Sequence, residues 1–263
     1  MSANKMKVVI LAGGYGTRIS EETHIRPKPM VEIGDTPVLV HIMRIYSHYG
    51  FSDFVICAGY RAEYIKQYFL DYIPTHSDFT IDLAQRGEVI IHRRYTEPWK
   101  VTIVNTGNHT MTGGRVKQIR PYLNNSPFML TYGDGLSDIN IGKLVEYHQS
   151  HGKLVTITAV QPPGRFGVLT LSSEDRVLNF TEKPDDEIGW VNGGFFVMQP
   201  EVFDYINDDS TVLERDTLER ISNNGQLMAY KHTGFWHPMD TLKDKMHLQK
   251  LWESGNAPWK LSV

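Results

Sequence analysis

The stretch VVILAGGYGTRISEETHIRPKPM, residues 8–30, sets a short apolar run against a glycine turn, an arginine, and a lysine held between two prolines. Val8 to Leu11 is apolar and β-branched without alternation, as in a strand buried on both faces, and Phe54 to Ala58 repeats the pattern. Between them Val38, Leu39, Ile42, Ile45 and Tyr46 share one side at helical spacing within Thr36 to Tyr49, and Gly50 stops the helix. Together the three segments predict a β-α-β unit and hence a parallel sheet.

The glycine turn has several readings. A dinucleotide fingerprint needs a third glycine where Ile19 stands, and a β-branched residue there opposes close helix-strand packing. A P-loop needs G-x-x-x-x-G-K-[ST], which has no match between Gly13 and Lys28. A plain tight turn closing a strand explains the glycines alone but not their neighbours. Gly13, Gly14 and Gly16 lack a Cβ, so successive N–H groups can approach anionic oxygens. Arg18 adds a planar donor fork, and Pro27 and Pro29 limit where the Lys28 ammonium reaches. A cradle, a guanidinium and a positioned ammonium describe a polyphosphate site.

The rest of the composition narrows the class. The 263 residues are 41% hydrophobic and 22% charged, ordinary globular usage. Net charge is −3 with no block of like charges, which excludes an electrostatic footprint for nucleic acid or an anionic membrane. The one cysteine, Cys57, sits in an apolar run without a disulfide partner and fits a reducing, cytoplasmic compartment. The apolar run Val8 to Ala12 is shorter than a signal-peptide core, so residues 1–5 are expected to be a leader to the first strand. No stretch approaches the length of a membrane span.

Ala62 to Tyr72 predicts a second helix. DFTIDLA, GEVIIHRR and KVTIVNT alternate in polarity and predict an antiparallel excursion, a β-rich insert over about residues 77–116 that closes with the loop GNHTMTGGR. FMLTYGDGL, LVTITAVQ, FGVLTLSS, VLNFTEKP and NGGFFVMQ predict further strands, Ile139 to His151 a helix, and DTLKDKMHLQKLWES a terminal amphipathic helix. No linker or internal repeat divides the chain, so residues 1–263 are expected to form a single α/β domain with insertions.

Asp134 lies between two glycines after an apolar run, which leaves room at a strand end for a hydrated ion and phosphates. Asp240 is the natural second carboxylate, and it also fits the N-cap of the helix that follows. The 11 histidines form no metal motif, with His148 and His151 on a polar helix face, and no Ser-His-Asp order suggests a nucleophile. Residues 84–116, with Arg93, Arg94, Tyr95 and Trp99 around a proline, have an interface-like composition, though a flap over a ligand reads equally well.

LAGGYGTR followed by KP resembles the signature of the sugar-nucleotide pyrophosphorylases, the nucleotidyltransferases that join a nucleoside triphosphate to a sugar 1-phosphate. YGDG, RFGVL, FTEKP, NGGFFV and WHPMDT extend the resemblance over almost the whole chain, and EETHIRPKPMVEIGDTP, TEPW, TGNHTMTGGR and GNAPWK resemble the cytidylyltransferase branch. The resemblance implies a Rossmann-like, GT-A-like fold with a mixed, mostly parallel central sheet flanked by helices. It implies nucleotide binding by Leu11, Ala12, Gly13, Gly14, Tyr15, Gly16, Thr17 and Arg18 with Lys28, Thr110, Arg115 and Gly133. It assigns Gly167, Glu182, Lys183, Asn192 and Gly193 to the sugar phosphate and Mg²⁺ to Asp134 and Asp240, with Arg18, Lys28 and Asp134 catalytic.

The implied reaction joins CTP to glucose 1-phosphate, giving CDP-glucose and pyrophosphate for dideoxyhexose formation in lipopolysaccharide O-antigen. The implied assembly is a homo-oligomer, commonly a hexamer. UTP or dTTP in place of CTP is the alternative substrate reading, and a non-catalytic, regulatory subunit that binds sugar nucleotides is the alternative class.

Overall fold

The computed structural model describes residues 6–84, 87–94, 96–162, 168–171, 177–181 and 189–261. Strand β1 (Lys7–Ala12) runs into the glycine turn and the short helix α1 (Ser20–Thr23). A small ribbon, β2 (Glu32–Ile33) with β3 (Thr36–Pro37), leads to helix α2 (Val38–His48), and β4 (Asp53–Ala58) returns parallel to β1 with Val9 opposite Val55. Helices α3 (Ala62–Leu70) and α4 (Tyr72–Thr75), hairpin strands β5 (Ser77–Asp82) and β6 (Glu88–Arg94), strand β7 (Lys100–Asn105) and helix α5 (Thr112–Gln118) follow. Then come β8 (Phe128–Tyr132), β9 (Gly135–Ser137), α6 (Ile141–His151) and β10 (Val155–Val160). The chain closes with the paired β11 (Val168–Leu171) and β12 (Val177–Thr181), then β13 (Val191–Met198), α7 (Leu218–Asn223), β14 (Leu227–His232), β15 (Trp236–Pro238) and α8 (Leu242–Glu253).

Seven strands make one sheet in the order β14-β10-β13-β8-β1-β4-β7. All neighbours are parallel except those of β13, which runs antiparallel to both β10 and β8. The alternate residues of β1 explain the unbroken apolar run. Val8 and Ile10 pack on one face with Leu39 and Ile42 of α2, while Val9 and Leu11 pack on the other with Val116 of α5. A strand covered on both faces has no polar side to show.

The run KVTIVNT departs from its expected place. It forms β7, which lies parallel to β4 as the sheet's edge with Val55 opposite Thr102, so the antiparallel excursion is the hairpin β5-β6 alone. Its alternation is that of any half-buried strand: Val101 and Ile103 pack on the core while Lys100 and Asn105 are exposed. Period alone does not tell a parallel edge from a hairpin. The loop before α5 is shorter than GNHTMTGGR suggested, because Thr112 to Arg115 already belong to the helix.

Most histidines are exposed or half-buried, but His148 is not on a polar face. It is buried beneath α6, where its Nδ1 lies 2.8 Å from Thr156 Oγ1 and Gln199 Nε2 donates to its Nε2 at 2.9 Å. His41 is buried as well, with Nε2 donating to the Ile33 carbonyl at 2.9 Å and its ring edge-on to Trp252. Burial, which disfavours the imidazolium, lowers each of these two pKa values to about 4. An unfolded histidine titrates near 6.5, so between these limits the unfolded chain binds more protons. Stability is therefore complete at pH 7 and falls as pH drops from about 6.5 to 4, by on the order of 3 kcal/mol from His41. Urea unfolding at pH 7 and pH 4.5 should show the loss, and His41→Gln, which keeps a donor for Ile33, should reduce it.

Candidate functional site

The strands β1, β4, β7 and β8 end at one side of the sheet, and their C-terminal turns meet there. β1 lies between β8 and β4, the point where the strand order reverses and where open α/β sheets bind ligands. The first turn is fixed from outside: the Gly13 carbonyl accepts from Tyr60 N at 3.2 Å, and the Gly16 carbonyl accepts from Ile19 N and Thr23 Oγ1 at 3.1 Å each. Gly16 is left-handed at φ 64°, the conformation that turns the chain back over itself. Among the described residues no hydrogen bond uses the backbone N–H of Gly14, Tyr15 or Gly16, and all three residues line the cleft.

Arg115 closes the floor beneath them. Its guanidinium is buried against Gly13 and Gly59, where a Cβ would lie 2.1 and 2.4 Å from Nη1. Nη1 donates to Thr106 Oγ1 at 2.7 Å and to the Gly107 carbonyl at 2.8 Å. Burial lowers the Arg115 pKa, yet a guanidinium remains charged in proteins, so the cleft has a cationic floor. The neighbouring Cys57 thiol is pushed up to about 12 by burial and is no nucleophile at neutral pH.

The turns enclose a cavity of about 630 Å³. Leu11, Ala12, Gly13, Gly14, Tyr15, Gly16, Thr17, Arg18, Lys28, Thr110, Arg115, Gly133 and Asp134 line it, so the expected nucleotide residues come together. Asn108, His109, Met111, Thr112, Pro29 and Tyr132 line it too and escaped the sequence reading. Tyr132 directly precedes the Gly133-Asp134 turn, a position that carried the signal. Thr112 reads as an ordinary helix start, and nothing in its spacing marks it.

At the cavity rim Lys28 Nζ lies 2.5 Å from Asp134 Oδ2 and 2.7 Å from Asp240 Oδ1, and Arg18 Nη1 pairs with Asp240 Oδ2 at 2.7 Å. Lys28 is carried by the turn after Pro27, whose extended backbone aims it inward. The cap role open to Asp240 belongs to its neighbour. Thr241 caps α8 in a capping box with Asp244, whose Oδ2 also accepts from the Asp240 backbone at 3.1 Å. Asp240 thus keeps both carboxylate oxygens for cations. Two carboxylates converging on one ammonium form a hard oxygen set that suits Mg²⁺, which completes its shell with waters and substrate phosphates. Among the described residues no group of three or more His, Cys, Asp or Glu side chains makes a closed metal site.

Asn192 and Gly193 begin β13 and are not a hairpin turn. Asn192 Nδ2 donates to the Tyr132 hydroxyl at 2.9 Å, and the Gly193 carbonyl accepts from Trp236 Nε1 at 2.7 Å; Asn192 thus reaches the cleft only through Tyr132, and neither residue lines the cavity. Gly167, Glu182 and Lys183 lie outside the described residues.

A family model described as nucleotidyl transferase matches residues 7–250. The chain is 50% identical over 256 residues to the glucose-1-phosphate cytidylyltransferase of Salmonella typhi, covering 97% of this chain and 99% of that protein. Among solved structures, HddC from Yersinia pseudotuberculosis superposes with a TM-score of 0.68 at 23% identity over 94% of this chain and 99% of its own. A UDP-glucose pyrophosphorylase complexed with UDP-glucose superposes with a TM-score of 0.67 at 15% identity over 95% and 99% of the two chains. At such identities these two likenesses speak to the fold, a mostly parallel sheet flanked by helices.

Proposed function

The chain belongs to the nucleotidyl transferase family, in its glucose-1-phosphate cytidylyltransferase branch, and from that premise we propose that it makes CDP-glucose and pyrophosphate from CTP and α-D-glucose 1-phosphate. A phosphate oxygen of the sugar phosphate attacks the α-phosphorus of CTP in line. The bond from that phosphorus to the bridging oxygen breaks, and pyrophosphate leaves with the electron pair. Both reactants are anions, so the barrier is repulsion and misorientation, and catalysis is positioning with charge neutralisation.

The free N–H groups of Gly14, Tyr15 and Gly16 cradle the triphosphate, Arg18 holds its outer oxygens, and Lys28 reaches the reacting phosphates. Asp134 and Asp240 would hold Mg²⁺, which, when bound, neutralises charge on the triphosphate and on the leaving pyrophosphate. Thr110, Arg115 and Gly133, which line the cavity, are assigned to the base. Gly167, Glu182, Lys183, Asn192 and Gly193 are assigned to the sugar phosphate. The observation that carries the reading is Lys28 Nζ between two carboxylates at the rim of a glycine-lined cavity.

Assaying pyrophosphate release from CTP, UTP, ATP, GTP and dTTP with glucose 1-phosphate tests it. CTP is expected to give the highest kcat/KM by at least tenfold. A preference for UTP or dTTP would keep the chemistry and overturn the base assignment. No release with any of the five would favour a non-catalytic, regulatory subunit, a reading opposed by the retained and converging Arg18, Lys28, Asp134 and Asp240.

The proposed setting is cytoplasmic, feeding activated glucose to cell-surface polysaccharide. A buried, unpaired Cys57 supports it, as does the lack, among the described residues, of a helix long and apolar enough to cross a membrane. The proposed assembly is a homo-oligomer, hexameric as in the branch, with hairpin β5-β6 as a subunit contact. The hairpin exposes Phe79, Ile81, Leu83, Val89 and Ile90, and its described residues do not line the cavity, which favours a contact over a flap. Trp99 takes no such part, since it packs on Phe54 and donates to Ser47 Oγ at 3.0 Å. Ile81→Asp with Ile90→Asp is expected to lower the native mass measured by light scattering. An unchanged mass with reduced activity would restore the flap.

A further inference from the structure

One carboxylate behind the cleft holds a side chain from each of its two walls. Glu214 sits in a π-helical turn, Leu213–Thr217, a geometry that inserts an extra residue into a helix and is common at functional sites. Its Oε1 accepts from the Tyr132 hydroxyl at 2.6 Å, and its Oε2 accepts from Thr112 Oγ1 at 2.7 Å. Thr112 Oγ1 in turn accepts from Leu213 N at 2.9 Å. The Tyr132 hydroxyl accepts from Asn192 Nδ2, whose Oδ1 accepts from Gly194 N at 2.8 Å. Each hydrogen therefore has one direction, and neither hydroxyl is free to turn toward the cavity.

The two arms lead to different places. Thr112 belongs to the wall that carries Thr110 and Met111, and that wall is docked on the same segment by Met111 N to the Asp209 carbonyl at 2.8 Å and Gly113 N to the Thr211 carbonyl at 2.9 Å. Tyr132 stands beside Gly133 and Asp134, and its ring packs so closely on Gly194 that a Cβ there would come within 2.5 Å. Burial and then the Glu214 charge raise the Tyr132 pKa, so the phenol stays a neutral donor.

We propose that Glu214 is a positioning residue that couples the two substrates: through Thr112 it senses the nucleotide wall, and through Tyr132 it sets the Asn192 amide on the sugar-phosphate side. The inference rests on the CTP and glucose 1-phosphate reading for which wall meets which substrate. Ordering one wall fixes the carboxylate and with it the other wall. Such coupling is reciprocal, so each substrate tightens the other by the same factor.

The experiment measures the KM for glucose 1-phosphate at saturating and at limiting nucleotide, using whichever triphosphate the wild-type protein turns over. The wild type is expected to show a several-fold lower KM at saturating nucleotide. Glu214→Ala should abolish that dependence and raise the KM at saturation about tenfold, with a smaller fall in kcat. Glu214→Gln, which keeps one acceptor, should fall between. Tyr132→Phe deletes a single oxygen and carries the test if Glu214→Ala folds poorly; in the double variant the two losses should not add. A wild type with no dependence overturns the proposal. So does a Glu214→Ala protein that loses thermal stability but keeps the dependence. In either case the activity itself remains standing, whereas a wrong base shows only in the nucleotide panel.

Discussion

Lys28→Ala is expected to lower turnover of CTP and glucose 1-phosphate by about 10² to 10³, the scale of losing one preorganised charge from a reacting phosphate. The side chain is mostly buried, and its ammonium is the shared partner of Asp134 and Asp240. Removing it leaves two half-enclosed carboxylates facing each other with, among the described residues, only Arg18, on the exposed side of Asp240, as a paired cation. Such a pair repels, so the variant should melt below the wild type in the presence of a chelator. Magnesium should then restore more stability to the variant than to the wild type, because a divalent cation no longer competes with the ammonium. Asp134→Asn in the same background should cancel that magnesium response. A lysine with a purely structural role would give a lowered melting temperature that magnesium does not change. Unaltered turnover would remove Lys28 from the reacting centre.

Much of this was open to reading in the chain because the physics is local. The runs Val8 to Leu11 and Phe54 to Ala58 must be strands covered on both faces, and the glycines after the first must turn over a helix that starts at Val38. Distances between far segments are not local. That Lys28 meets Asp134 and Asp240 follows from β1 lying between β8 and β4, which no spacing reveals. The same limit hid Glu214: its neighbours LERDT look like any polar helix start, and its meaning arises only where Tyr132 and Thr112 reach it. KVTIVNT failed differently. A half-buried edge strand and a hairpin strand have one period, and only the free edge of β4 decides between them. Asp240 was ambiguous between cap and ligand until Thr241 took the cap.

Gly13→Ala and Gly14→Ala, adjacent and chemically identical, are expected to fail in different ways. A Cβ on Gly13 would lie 2.1 Å from Arg115 Nη1 and 2.4 Å from Cζ, while a Cβ on Gly14 meets nothing within 4 Å. The first methyl must expel a buried guanidinium from Thr106 Oγ1 and the Gly107 carbonyl, or lift the turn off β1. Leaving such buried groups unpaired costs about 1 to 3 kcal/mol. A displaced turn moves every N–H of the proposed triphosphate cradle, and a shift near 1 Å is enough to lose about 10² in rate. Gly13→Ala should therefore lower both melting temperature and kcat/KM. Gly14→Ala should melt like the wild type yet raise the KM for CTP, since its methyl stands where phosphate oxygens approach the backbone. In an Arg115→Ala background the added cost of Gly13→Ala should largely vanish, because the atom it strikes is gone. Equal effects of the two alanines would mean that Arg115 is not what holds the turn, and that the floor of the cleft is set by the strand end alone.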